Sequence, residues 1–232
     1  MTIGASQRRA ATVAGVLYLV MMATSIYFDA FVRASLIASG NAAKTASNIL
    51  ASERLFRVGV FFELVTSAGD IALVVALYVL LEPVNRGLAL LAAFWRLAES
   101  VVFAVVAMTS LVALLFLSNA GHLHAFTPEQ LQSLARVAIS AHGAGFNIVL
   151  AFLGLGGFVF AYLLFRSGYV PGAFGAIGMF GYGVMLASCA VIIVFPGVSR
   201  FVVPGAWAPT FLFEVGCGLW FLVMGLRTEN PV

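Results

Sequence analysis

Long uncharged apolar runs, rather than short alternations of polar and apolar residues, set the pattern of this chain. The first, Ala10 to Phe28, is just long enough to cross the ~30 Å hydrocarbon core of a bilayer as a helix. A secretory signal would carry a shorter apolar stretch followed by a small-residue cleavage site, so this run is read as a retained span. Further runs follow, each bounded by Gly, Pro, Asn or Arg signals that mark where a helix meets the interface. The pattern predicts an all-α, polytopic membrane protein, a six-transmembrane-helix bundle. Its spans are expected at Ala10 to Phe31, Leu55 to Leu81, Leu88 to Leu117, Ala141 to Phe165, Gly172 to Phe195 and Ala206 to Leu226.

Two connections, Glu82 to Gly87 and Arg166 to Pro171, read as tight turns on one side of the membrane. The others are longer, and two carry amphipathic patterns. Thr127-Pro128-Glu129-Gln130 combines an N-cap, a proline at the first helical position and a capping-box glutamine, with Leu131, Leu134, Ala135 and Ala138 at helical spacing beyond it. From Ala42 to Leu55, the residues Ala43, Ala46, Ile49 and Leu50 share a face away from Lys44, Asn48 and Glu53. Short interfacial helices are therefore expected in outer loops 1 and 3.

Composition makes the bilayer the solvent. Apolar residues form 62% of the chain and charged residues 9%, against about 25% charge in soluble proteins. The reading is a single integral membrane domain over residues 1–232, with membrane lipid as its surroundings. A net charge of +3, scattered between the apolar runs, gives no surface for nucleic acid. Counting Lys and Arg does not orient the chain. Arg8, Arg9, Arg86, Arg166 and Arg227 stand on one side, and Arg33, Lys44, Arg54, Arg57, Arg136 and Arg200 on the other. Their density does, because the first set lies in much shorter segments, and both termini are expected to be cytoplasmic.

Glycine recurs every third residue at Gly172, Gly175, Gly178 and Gly181, which predicts close helix approach. Gly154, Gly156 and Gly157 belong to no strand-turn-helix phosphate loop and are read as packing positions. No 3+3 internal repeat is evident.

The informative residues are those a bilayer tolerates least: Glu63, Asp70, Arg96, Glu99, His142, Asn147 and Glu214 all fall within the spans or at their outer edges. Each is expected to face the bundle interior. The second and third spans form a hairpin in which Arg96 can reach Asp70, and Glu99 lies three residues along the same helix, so these three form a buried charge network. Glu63, Glu214, Asn147 and His142 are expected at a higher level, lining an outward-facing polar chamber that could bind a proton, a cation or a small solute. The alternative is a self-satisfied network that fixes helix register and binds nothing.

No metal site and no cofactor are expected. His122-Leu123-His124, with His142 and Glu129, lacks diagnostic spacing, and zinc needs three or four converging ligands. The chain has neither a Gly-x-Ser-x-Gly nucleophile motif nor a His-Glu-x-x-His helix. Cys189 and Cys217, deep in the spans, read as small packing groups.

Several strings together carry a family resemblance. They are Phe31-Val32-Arg33 through Leu36-Ile37, Ile49-Leu50-Ala51-Ser52-Glu53-Arg54-Leu55-Phe56-Arg57, Asp70 with Ala76-Leu77-Tyr78-Val79-Leu80-Leu81, and Pro83-Val84-Asn85-Arg86. Leu88-Ala89-Leu90-Leu91-Ala92-Ala93-Phe94-Trp95-Arg96-Leu97 and Leu163-Leu164-Phe165-Arg166-Ser167-Gly168-Tyr169-Val170-Pro171 complete the set. With them the chain resembles DUF4386, a bacterial family of multi-pass membrane proteins of unknown function. The resemblance implies a bundle of about six helices in the bacterial cytoplasmic (inner) membrane, with Asp70 and Arg96 among its characteristic positions. It implies no substrate, cofactor or catalytic residue, and His122 and His124 match none of its strings.

Three classes of function remain. The first is binding or movement of a small solute, cation or proton through the chamber. The second is a structural or regulatory membrane subunit with no ligand. An intramembrane enzyme acting on a lipophilic substrate is the third, and no reaction signature supports it.

Overall fold

A computed structural model describes residues 3–118, 125–199 and 205–227. Every regular element among them is helical. Apolar surroundings force this choice, since backbone groups without water must be satisfied within their own segment. Five helices are long and apolar enough to cross a membrane: Ala5–Leu36, Glu53–Leu81, Arg86–Leu117, Pro128–Ser167 and Gly172–Val194. The first consists of α1 (Ala5–Tyr27), a π-helical stretch at Phe28–Arg33 and a last helical turn at Ala34–Leu36. Then come α2 (Ala42–Ala51), α3 (Glu53–Leu81), α4 (Arg86–Leu117), α5 (Pro128–Ser167), α6 (Gly172–Val194) and α7 (Ala208–Val223).

Two sequence expectations change. The sixth expected span, Ala206 to Leu226, contains α7, whose 16 residues extend about 24 Å at 1.5 Å per residue, short of ~30 Å. The separate interfacial helix expected after Thr127 does not exist as such, because α5 runs unbroken for 40 residues. Its N-terminal cap is nevertheless a reciprocal capping box. The Thr127 backbone N–H donates to Gln130 Oε1 at 2.8 Å, and the Gln130 N–H meets Thr127 Oγ1 at 3.4 Å. Nothing between Ser140 and Gly145 stops a helix once it has begun there, since no proline intervenes. In the first loop, α2 is a separate helix. Asn41 caps it by accepting the Lys44 N–H, and the Thr45 hydroxyl binds the Ala38 and Asn41 carbonyls.

The chain divides into two compact units. Unit one comprises Met1–Met22, Ala68–Ser100 and Asn147–Val232. Its helices approach through glycine. A Cβ added at Gly175 would sit 2.8 Å from Phe165 Cα, and one at Gly181 2.6 Å from the Thr210 N. At Gly15 it would meet the Gly218 carbonyl oxygen of α7 at 2.9 Å. Around these contacts Leu77, Leu80, Leu164, Phe160, Phe213 and Phe221 form a buried core. Tyr169, in the turn between α5 and α6, gathers both ends of the unit. Gln7 Nε2 donates to its hydroxyl at 2.8 Å, and the Arg227 N–H donates to its carbonyl at 3.0 Å.

Unit two comprises Ala23–Ser67 and Val101–Phe146. Val32, Leu36, Ile49, Phe56, Val60, Leu114 and Ile139 make its core. Gly59 faces Phe28 and Gly145 faces Val106 so closely that neither position has room for a side chain.

Candidate binding site

The hairpin of α3 and α4 builds the centre of unit one. Glu82 and Val84 close the turn by backbone hydrogen bonds to Tyr78 and Leu81, and Asn85 Oδ1 accepts the Leu88 N–H to start α4. This sets Asp70 and Arg96 on facing helices, both buried. The Arg96 guanidinium lies 2.6 Å from Glu99 Oε2 and 3.6 Å from Asp70 Oδ1. The Glu99 contact is close but not in line with the N–H, so neither atom has a well-aligned hydrogen bond among the described residues. Glu99 is thus the primary counter-ion and Asp70 a looser one.

Glycine on α5 makes the room for this arrangement. A Cβ at Gly156 would fall 2.5 Å from Arg96 Cγ and 2.9 Å from the Ala92 carbonyl oxygen. One at Gly157 would fall inside the Tyr182 ring. The Gly154, Gly156 and Gly157 cluster therefore seats the side chains of Arg96 and Tyr182 and takes no part in a phosphate loop.

Tyr182 of α6 donates its hydroxyl proton to Glu214 Oε1 of α7 at 2.7 Å. Its ring stands edge-on to Phe213, with centroids 5.7 Å apart, and Phe213 also meets Tyr18 edge-on at 6.4 Å. Arg96 is within electrostatic reach of Glu214 and Tyr182, and Tyr18 is within reach of the same two. Two buried carboxyl groups, the half-buried Glu214, one guanidinium and two phenols thus gather in unit one. Buried charges require partners there, and a single guanidinium cannot balance three carboxylates.

The residues expected to line one chamber divide between the units. In unit two, His142 Nε2 and Glu63 Oε1 are 2.9 Å apart, and both side chains are buried. In unit one, Glu214 is bound to Tyr182, and Asn147 is half-buried on α5. Cys189 and Cys217 are buried free thiols. His122 and His124, like Arg200, lie outside the described residues. Among the described residues no three His, Cys, Asp or Glu side chains converge as metal ligands.

Sequence reasoning did not single out Tyr182 or Tyr18, since it searched for formal charge. A phenol inside a bilayer span also needs a hydrogen-bond partner, and that is the signal that points to Tyr182.

Neither a curated protein nor a solved structure matches this chain. A family model, the domain of unknown function DUF4386, matches residues 13–225. That match takes in the hairpin with Asp70, Arg96 and Glu99, the glycines that seat Arg96, and Glu214 with its tyrosine partner, so the chain belongs to the DUF4386 family.

Proposed function

We propose that this protein is a six-span protein of the bacterial inner membrane that binds a proton or small cation at the carboxyl cluster of unit one and moves it across the bilayer. One observation carries this reading: Asp70 and Glu99 are buried with a single guanidinium, Arg96, and the half-buried Glu214 lies within its electrostatic reach. Fully ionised, the group holds one positive charge against three negative ones, and uncompensated charge in an apolar interior costs several kcal/mol per ion. A bound proton or small cation removes that imbalance, and its release restores it, which is the requirement for a carrier.

The meeting of Gln7 and Arg227 at Tyr169 supports an even number of crossings. With α7 as the sixth, both ends lie on one side. Arg8, Arg9, Arg86, Arg166 and Arg227 in their short segments favour the cytoplasm for that side. In this orientation α2 serves as an interfacial helix on the outer face, where the first turns of α5 extend its span beyond the hydrocarbon.

The test uses the purified full-length chain in liposomes, with internal dyes for H⁺, Na⁺ and K⁺ and an imposed membrane potential. Wild-type vesicles should pass one of these ions faster than protein-free vesicles, and Glu214→Gln should abolish the difference. Wild-type vesicles that match protein-free ones for all three ions overturn the carrier reading and leave the structural role.

A further inference from the structure

Among the described residues, Glu63 and His142 are the two ionisable side chains buried in unit two. The other buried polar groups there are the hydroxyls of Thr45, Ser67 and Ser110. The remaining charged residues described on its helices, Arg33, Lys44, Glu53, Arg54, Arg57, Glu129 and Arg136, are half-buried or exposed. Among the described side chains nothing else charged is enclosed with the pair.

With Glu63 ionised, its carboxylate only accepts, and the 2.9 Å contact is then an Nε2–H donating to Glu63 Oε1. The other ring nitrogen, Nδ1, then presents a lone pair. Nδ1 and the second carboxylate oxygen, Oε2, are both buried and have no hydrogen-bond partner among the described residues. Phe146 lies nearly parallel to the imidazole, 12° between the planes and 6.4 Å between centroids. It is an apolar neighbour one helical turn away, outside the range of a close cation–π contact.

We infer that Glu63 and His142 form a proton-binding site of their own, in which one exchangeable proton is taken up on His142 Nδ1. In the proton-free state a neutral imidazole stands beside a carboxylate, with a net charge of −1. Uptake forms the Nδ1–H bond and gives imidazolium against carboxylate, with a net charge of zero, while Nε2–H stays on Glu63. Release breaks the same bond and returns the proton to the medium, so no oxidant or further reactant is involved. The apolar enclosure sets the ligand class: it favours the neutral sum, and the two ligand atoms found here among the described residues are fewer than the three or four a zinc ion takes. This site stands without the reading of unit one, because it uses none of the same residues.

The experiment labels the full-length chain with ¹⁵N-histidine in detergent micelles and follows His142 by NMR, its signals being identified by their loss in His142→Gln. In the wild type, His142 should pass from a ring protonated on both nitrogens to one protonated on a single nitrogen as the pH is raised. Potentiometric titration over the same change should show the wild type taking up about one more proton per chain than His142→Gln. Glu63→Gln should remove the step, leaving His142 neutral throughout. A wild-type His142 signal that does not change with pH overturns the site without any variant, and so does an unaltered step in folded Glu63→Gln. Ion flux in liposomes that survives both substitutions bears on the carrier reading alone.

Discussion

The two units bury charge in opposite ways. Unit two encloses one acid with one base, each the other's partner. Among the described residues, unit one sets two buried acids and the half-buried Glu214 against one buried base, and that base is shared. A one-to-one pair can be exchanged for apolar side chains of similar size without leaving a charge behind, and such exchanges are often neutral or stabilising. A shared guanidinium cannot, since any loss of it strands several carboxylates together. The difference separates a charge that is dispensable for folding from one the fold depends on, and it can be broken or sharpened by substitution.

The largest effect is expected from Arg96→Leu. It leaves the buried Asp70 and Glu99 and the half-buried Glu214 without a cation, so stability should fall by about 3–5 kcal/mol, read as loss of folded yield in detergent. A stable Arg96→Leu protein would remove the distinction between the units. Gly156→Leu should follow, at about 1–3 kcal/mol for overpacking, since the new side chain occupies the place of the Arg96 stem. Thermal unfolding in detergent would measure it, and a Gly156→Leu/Arg96→Ala double change should show the two effects to be non-additive. Within the cluster, Glu99→Gln should destabilise more than Asp70→Asn, because Arg96 stands 2.6 Å from the first and 3.6 Å from the second. Equal losses would mean that the guanidinium divides itself evenly. Smallest of all, the Glu63→Leu/His142→Leu double change should be neutral or slightly stabilising, while either single change should destabilise. A double variant as unstable as Glu63→Leu would show that unit two also depends on its charges.

Much of this was readable from residue spacing. Arg96 and Glu99 lie three apart on one helix, which places them on the same face, and the short turn at Glu82 to Gly87 fixes the depth at which Asp70 meets them. The capping box at Thr127 is likewise a local device, specified by side chains next to one another in the chain. What spacing could not supply is the pairing of Tyr182 with Glu214, which depends on how α6 and α7 rotate against each other, a matter settled by Gly178 and Gly181 packing on Phe213 and Thr210. The continuity of α5 was obscured for a different reason. Its first turns look amphipathic and its later turns look membrane-spanning, and a change of solvent along a helix resembles the end of one helix and the start of another.

The contact between Gly15 and Gly218 has a consequence for biosynthesis. The α1 helix leaves the ribosome about 200 residues before the α7 backbone it rests on. Until then its groove must be filled by lipid or by the insertion machinery, so the seam between α1 and α7 closes only once α7 has been made. A nascent chain cut short before α7 is left with an open flank on α1, far away in sequence from the break.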